Sequence, residues 1–392
     1  MCGIVGLTNL DNNVSEYIEI IKQMKKELNR GTLDEQDAFL KKDINLHHTK
    51  LAIISVNNDK QTMSIKFNNN IYTILYNGKL YNSDELKLEL KENDFDFSTN
   101  SDTEILLKGF IHWGYKLVNH LNGVFGFAIW NEENEELYLA RDHFGIKPLY
   151  YTEFNNTFIF SSEVKSIIKY PNFKTEINKF GISELLGLGP AHTSGTCIFN
   201  NIYELKPAHF GIYNKSGIHI ERYWKLKSKP HEDNLENTCE NVKYLIEDSI
   251  KRQLVSDGPI CTMLSGGLDS SIITTYVANY MKQKDIGILN TFSVDYIDND
   301  KNFIKTDFQP NSDKYYIDIM VNKLGTKHST FYIDTPELAN TLEDAMIARD
   351  FPGMADVDSS MLLFCKEISK YAKVAISGEC ADEIFRRLPL VF

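Results

Sequence analysis

Short apolar runs recur along residues 1 to about 225, set between polar stretches. Tyr72–Tyr76, Val124–Trp130, Leu137–Ala140 and Phe158–Phe160 read as strands, and Ile4-Val5 can begin another near the N-terminus. Ser83–Lys91 and Thr103–Trp113 carry helical patterns between them. Asn77-Gly78 closes an apolar run and predicts a tight turn. Residues 226–234 are polar with one proline and read as a linker. The pattern then changes. Leu235 to about Leu254 reads as a helix, Pro259–Leu264 as a short apolar strand, and Asp269 to about Met281 as a helix with Ile272, Ile273, Tyr276, Val277 and Tyr280 on one side. Asn290–Val294 and Lys373–Ile376 read as further strands. Strands alternating with helices predict a parallel sheet, whose ligands sit beyond the strand C-termini. The expected domains are therefore 1–225 and 235–392, joined by 226–234.

Composition narrows the class. A chain of 392 residues exceeds one ordinary core, so two domains are the default. Apolar content of 42% and charged content of 24% describe a soluble globular protein. A net charge of −12 leaves no basic surplus for general nucleic-acid binding. No long unbroken apolar run predicts a membrane span, and no secretory signal pattern opens the chain. The cysteines at 2, 197, 239, 261, 365 and 380 are scattered without a paired motif, which fits reduced cytoplasmic thiols and no zinc site.

Several residues carry candidate chemistry. Met1 precedes a small residue, so its removal would give Cys2 both a thiol and a free α-amine, a nucleophile and its base in one residue. Taken alone, Cys2 reads as a buried structural cysteine, and the residues further along reverse that. Ser265-Gly-Gly-Leu-Asp-Ser270 follows a strand and opens a helix, a layout that can close around an anion, with Asp269 able to hold phosphate-bound Mg²⁺. A plain Gly/Ser turn capped by Asp269 or Ser270 is the alternative. The loop lacks the Gly-Lys-Ser/Thr ending of a Walker motif. Ser377-Gly-Glu-Cys-Ala-Asp-Glu383 repeats the layout after another strand, and an acidic helix cap is again the alternative. The Asn77 amide beside the Gly78 N–H can form an oxyanion hole. Asp102 can hold a substrate ammonium or cap the helix that follows it. His47-His48 reads as a solvated pair, and Arg141-Asp142 as a salt bridge within a turn.

Together these pieces resemble glutamine-hydrolysing asparagine synthetases of the bacterial type. The first half is similar to a class II glutamine amidotransferase domain in Cys2–Gly6, Arg30-Gly31, Leu51–Ile54, Tyr76–Gly78, Ser101–Glu104, Leu121–Ala128 and Ala140–Tyr151. The second half is similar to the start of an ATP-pyrophosphatase synthetase domain in Ser265–Ser270, Phe351–Ser360 and Ser377–Phe385. The ordered match covers almost the whole chain. It implies an α+β αββα sandwich of the N-terminal-nucleophile hydrolase kind, followed by the N-terminal part of an α/β parallel-sheet domain. It implies that Cys2 attacks the glutamine amide, with Asn77 and Gly78 as oxyanion donors and Lys50, Ile53, Ile54, Lys79 and Asp102 around the substrate. It implies that ATP and Mg²⁺ activate the aspartate β-carboxylate as an acyl adenylate, which channelled ammonia converts to asparagine with release of AMP. Leu264, Ser265, Gly266, Gly267, Asp269, Ser270, Val294, Ser377 and Gly378 would contact ATP, Asp269 and Asp382 would hold Mg²⁺, and Glu379 would assist the adenylate steps. The implied setting is cytoplasmic, with small-molecule substrates and neither nucleic acid nor membrane as partner; a homodimer is left open.

The chain departs from the family pattern in two places. Lys50 stands where the family has arginine, and loses the bidentate fork. Lys79 stands where the family has glutamate, and would repel a substrate ammonium, leaving Asp102 as the one anionic contact. Asn29–Leu33 replaces the family's His-Arg-Gly-Pro-Asp. Weakened or lost glutamine hydrolysis is the expectation. After Phe385 the family continues Gly-Gly-Tyr-Pro-Trp-Phe, whereas this chain reads Arg386-Arg-Leu-Pro-Leu-Val-Phe392. One extra nucleotide before codon 386 would account for that tail, so a frameshifted synthetase domain lacking a later catalytic lysine is expected. A β-lactam-forming relative is disfavoured by Cys2, while a glutaminase-only fragment and a non-catalytic product are the remaining rivals.

Overall fold

The computed structural model describes residues 3–11, 17–28, 35–40, 44–50, 62–256, 258–305 and 311–385. Cys2, Ile53, Ile54, the 29–33 loop, the tail from Arg386 and the side chains of His47, His48 and Lys50 lie outside the described residues. The chain divides into two compact units, Met1–Lys229 and Pro230–Phe392.

The first unit stacks two sheets between helices. Its strands are β1 (Gly3–Thr8), β2 (Glu35–Leu40), β3 (Ile44–Lys50), β4 (Thr62–Phe67), β5 (Asn70–Leu80), β6 (Gly123–Asn131), β7 (Glu136–Arg141), β8 (Tyr150–Phe154), β9 (Thr157–Ser161), β10 (Tyr203–Glu204), β11 (His209–Asn214) and β12 (Gly217–Arg222). Its helices are α1 (Ile18–Glu27), α2 (Ser83–Glu92), α3 (Asp102–Trp113), α4 (Val164–Ile168) and α5 (Lys179–Leu188). One sheet runs β10-β8-β9-β1-β3-β2 and the other β12-β11-β7-β6-β5-β4, with antiparallel pairing throughout. Helices α1 and α4 cover the first sheet, α3 covers the second with α2 against it, and β1 and β3 face β5 across the middle. This is the expected αββα layering.

Period-two alternation explains the double burial. Along β5 to β7, Ile74, Tyr76, Phe125, Phe127, Ile129 and Tyr138 face the helices, while Leu75, Ala128, Trp130, Leu137 and Leu139 face the other sheet. Each strand therefore reads as a continuous apolar run.

The predicted turn at Asn77-Gly78 is not there. Both residues lie inside β5, paired with Gly126 and Phe125 of β6. Ladder pairing overrides the local turn signal. The hairpin from β4 to β5 turns instead at Asn68-Asn69, with φ of 47° and 68°, the two positive values a type I′ turn requires.

The second unit contains α6 (Leu235–Gln253), β13 (Ile260–Met263), α7 (Leu268–Lys284), β14 (Asn290–Tyr296), α8 (Asn299–Asn302), α9 (Asp313–Leu324), β15 (Lys327–Ile333), α10 (Thr335–Arg349), α11 (Ala355–Ile368), β16 (Val374–Ile376) and α12 (Ala381–Phe385). The sheet is parallel, in the order β15-β14-β13-β16. One face buries Cys261 and Phe292 against Phe364 and Ile368 of α11, and the other packs Ile260 with Val277 of α7 and Ile250 of α6. A buried hydrogen bond of 3.0 Å between the Thr262 and Thr274 hydroxyls ties β13 to α7.

Candidate functional site

In the first unit the described candidates Asn77, Gly78 and Lys79 lie near the end of β5, and Asp102 lies at the start of α3. All six residues of β1 are buried, so the strand leaving Cys2 is held firmly. Ser162 is the clasp. Its Oγ accepts from Ile4 N at 3.1 Å and from Asn77 Nδ2 at 3.4 Å, and its own N–H donates to the Ile4 carbonyl at 2.9 Å. One buried hydroxyl thus links the predicted oxyanion amide to β1, the strand that follows Cys2. Sequence reasoning does not single out Ser162, since nothing local marks a serine as bridging two distant strands.

Gly78 is confined by β6. A Cβ there would sit 2.2 Å from the Val124 carbonyl oxygen and 2.8 Å from Phe125 Cα. Only glycine lets the backbone lie this close.

Asp102 does not cap its helix. The N-cap is Ser101, whose side chain accepts from Glu104 N, and Asp102 is the first helical residue. A serine hydroxyl reaches back to the third residue more readily than a carboxylate already inside the turn. The Asp102 carboxylate turns instead to Lys79 Nζ (3.1 and 3.0 Å), Leu80 N (2.9 Å) and Ser83 Oγ (3.0 Å). The loop before α3 is fixed by buried Glu104, which accepts from the backbone N–H and hydroxyl of both Ser98 and Thr99. Burial opposes that charge, but Lys108 and those donors together hold the Glu104 carboxyl at about 2.

Arg141 and Asp142 do not pair with each other. Buried Arg141 reaches Glu204 at 2.7 Å and the carbonyls of Lys147, Gly145 and Leu205. Asp142 accepts the N–H groups of Phe125, Phe144, Ile146 and Lys147. Arg141 ends β7 and Asp142 begins the turn that follows it, so each finds a different partner. Burial works against the Glu204 charge, but His192, Arg141 and the Gly195 N–H hold its carboxyl at about 2.

In the second unit the two Ser/Gly loops meet. They follow β13 and β16, neighbours in a parallel sheet, so both lie at the same sheet edge. A Cβ on Gly378 would come within 3.0 Å of Asp269 Cβ and 3.1 Å of Ser270 N. Gly266 has a φ of 82°, and a Cβ there would meet the Asp313 carbonyl at 2.9 Å. The N-cap of α7 is Gly267, without a side-chain cap. Ser270 instead braces the loop: its Oγ accepts from Ser265 N at 3.2 Å and lies 3.0 Å from Ser265 Oγ. A capping carboxylate or hydroxyl would occupy the helix start, and the Gly267 N-cap supplies none.

A cavity of about 580 Å³ lies above these loops. It is lined by Leu264, Ser265, Gly267, Asp269, Ser270, Val294, Ser377, Gly378, Glu379 and Asp382, and so brings together every predicted nucleotide and metal residue except Gly266. Glu383, Ser293, Tyr296 and Cys380 line it as well and were not predicted. Cys380 has a φ of 69°, and burial with the charges of Glu383 and Glu379 pushes its thiol up.

The first unit is thus amidotransferase-like in its layering and the second is a parallel-sheet unit with an anion-type loop pair. A glutamine amidotransferase domain model matches residues 1–224, and an asparagine synthase model matches residues 241–390. The chain belongs to the glutamine-hydrolysing asparagine synthetase family. It is 42% identical over 389 residues to asparagine synthetase [glutamine-hydrolyzing] 3 of Bacillus subtilis, covering 99% of this chain and 63% of that protein. It is 32% identical to asparagine synthetase [glutamine-hydrolyzing] 1 of the same organism, covering 98% and 58%. A Methanocaldococcus jannaschii protein named provisionally in the same group is 30% identical over 411 residues, covering 98% and 75%. The chain therefore spans about three-fifths of the length of the two Bacillus relatives.

Proposed function

We propose that this protein converts aspartate to asparagine, activating the side-chain carboxylate with ATP and taking nitrogen released from glutamine. The meeting of the 265–270 and 377–383 loops around one cavity, at the C-terminal ends of parallel strands, carries this reading. Gly267, Asp269 and Ser270 at the start of α7 line the cavity, and a helix start suits phosphates. Leu264, Val294 and Ser377 suit the rest of the nucleotide, with Gly266, Gly267 and Gly378 keeping the backbone close.

The cavity also carries Asp269, Glu379, Asp382 and Glu383, which would repel bare ATP. Mg²⁺ held by Asp269 and Asp382 and shared with phosphate oxygens would offset that repulsion. One or two carboxylates plus phosphates is the usual protein share of such a site. When bound, the metal supplies charge neutralisation at the transferring phosphate. Glu379 is placed to assist formation and breakdown of the β-aspartyl adenylate. In the first unit Cys2 attacks the amide, its α-amine serves as base, and Asn77 Nδ2 with Gly78 N–H receives the oxyanion. Lys50, Ile53, Ile54, Lys79 and Asp102, the positions that the resemblance implies, would surround the glutamine. Cys197, Cys239, Cys261, Cys365 and Cys380 form no disulfide among the described residues, which suits a reducing cytoplasm.

The test is product analysis with aspartate, ATP, MgCl₂ and ¹⁵N-ammonium, which bypasses the first unit. Equal amounts of ¹⁵N-asparagine, AMP and pyrophosphate are expected. Release of ADP and phosphate, or nucleotide turnover indifferent to aspartate, would overturn the reading.

A further inference from the structure

The Asp102 carboxylate, 10% exposed, already holds an ammonium, and that ammonium belongs to the protein. Lys79 Nζ bridges both of its oxygens at 3.1 and 3.0 Å, while Ser83 Oγ and Leu80 N each take one more position. A carboxylate offers about four lone-pair sites, and all are filled from within the chain. Lys79 follows Gly78, whose backbone β6 pins in place. Its ammonium is itself partly shielded from water, with 22% of the side chain exposed.

A second ammonium arriving at Asp102 would have to displace Lys79 and then lie beside the cation it had displaced, with loss on both counts. A ligand with no charge at that position loses nothing, because the ion pair presents a satisfied, neutral surface.

We propose that Lys79 is a built-in substitute for a substrate ammonium, so that the first unit does not select for a free α-amino group and hydrolyses carboxamides lacking one as readily as glutamine. The proposal rests on the amidotransferase reading and goes beyond simple repulsion: Lys79 is a specificity-determining residue, acting through its occupation of Asp102.

The experiment measures ammonia release by the full chain from glutamine and from glutaramic acid, which is glutamine without its α-amino group. In both, water replaces the amide nitrogen, giving ammonia and a carboxylate. The readout is the ratio of kcat/KM for glutamine to that for glutaramic acid. A ratio near one is expected for the unmodified chain, and Lys79→Glu is expected to raise it at least tenfold, mainly through the KM for glutamine. Lys79→Met, which removes the cation without adding charge, is expected to raise it at least threefold and serves if Lys79→Glu does not fold. Smaller rises overturn the proposal; the amidotransferase reading then still stands if Cys2→Ala abolishes ammonia release. No ammonia from either amide with any variant removes that reading and the proposal together.

Discussion

Replacing Gly78 by alanine tests the packing that places the proposed oxyanion donors. The new Cβ would lie 2.2 Å from the Val124 carbonyl oxygen and 2.8 Å from Phe125 Cα, both backbone atoms of β6. Neither can rotate away, so β5 and β6 must separate locally by roughly 1 Å, against a normal strand spacing of about 4.8 Å. Overpacking of this kind costs about 1–3 kcal/mol, and one or two weakened ladder hydrogen bonds add about 1 kcal/mol each. The expected loss is therefore about 2–5 kcal/mol. All three tryptophans (Trp113, Trp130 and Trp224) lie in the first unit, so their fluorescence follows that unit alone through a urea titration. With a slope of about 3 kcal/mol per molar urea, the midpoint should fall by roughly 1 M. Ammonia release should drop by about 10²–10³-fold once the Gly78 N–H is displaced. A variant with an unchanged midpoint and unchanged hydrolysis would refute the close approach of β5 and β6.

Three further outcomes follow from the same geometry. Glu204→Gln leaves Arg141 buried beside a neutral partner and should cost about 3–5 kcal/mol in the same titration; an unchanged midpoint would count against a structural role for the pair. Glu104 and Glu204 both have carboxyls lowered to about 2, so each adds stability above its unfolded value, lost as pH falls from about 4.5 towards 2. Acid unfolding of the first unit should fall in that window, and Glu204→Gln should weaken the dependence. Ser162→Ala removes the acceptor shared by Ile4 N and Asn77 Nδ2 and should lower kcat for amide hydrolysis about tenfold with little change in KM; a change in KM alone would show that Ser162 does not position the oxyanion donor.

Much of this architecture is legible in the chain because each buried strand is flanked by polar stretches. Val124–Trp130 and Pro259–Leu264 find their strands almost residue for residue. The two Ser/Gly loops are readable for the same reason: each follows a strand of the parallel sheet, and such loops share one edge. What escapes local reading depends on partners far away in sequence. Asn77-Gly78 carries a turn signature, but pairing with Gly126 and Phe125 makes it extended. Arg141 has an acid beside it, yet its ion pair is with Glu204, brought in by β10. Ser162 gains its importance only when β9 is laid beside β1. Lys79 marks itself as an odd charge in the sequence, but its occupation of Asp102 depends on how β5 meets the start of α3.

The central claim is that the second unit activates aspartate with ATP at the cavity above the paired loops. Exchange of labelled pyrophosphate into ATP, measured with and without aspartate for the unmodified chain and for Asp269→Asn, tests it most directly. Exchange that requires aspartate and falls at least tenfold in the variant is the predicted result. Exchange without aspartate, no exchange at all, or exchange untouched by the substitution would contradict it.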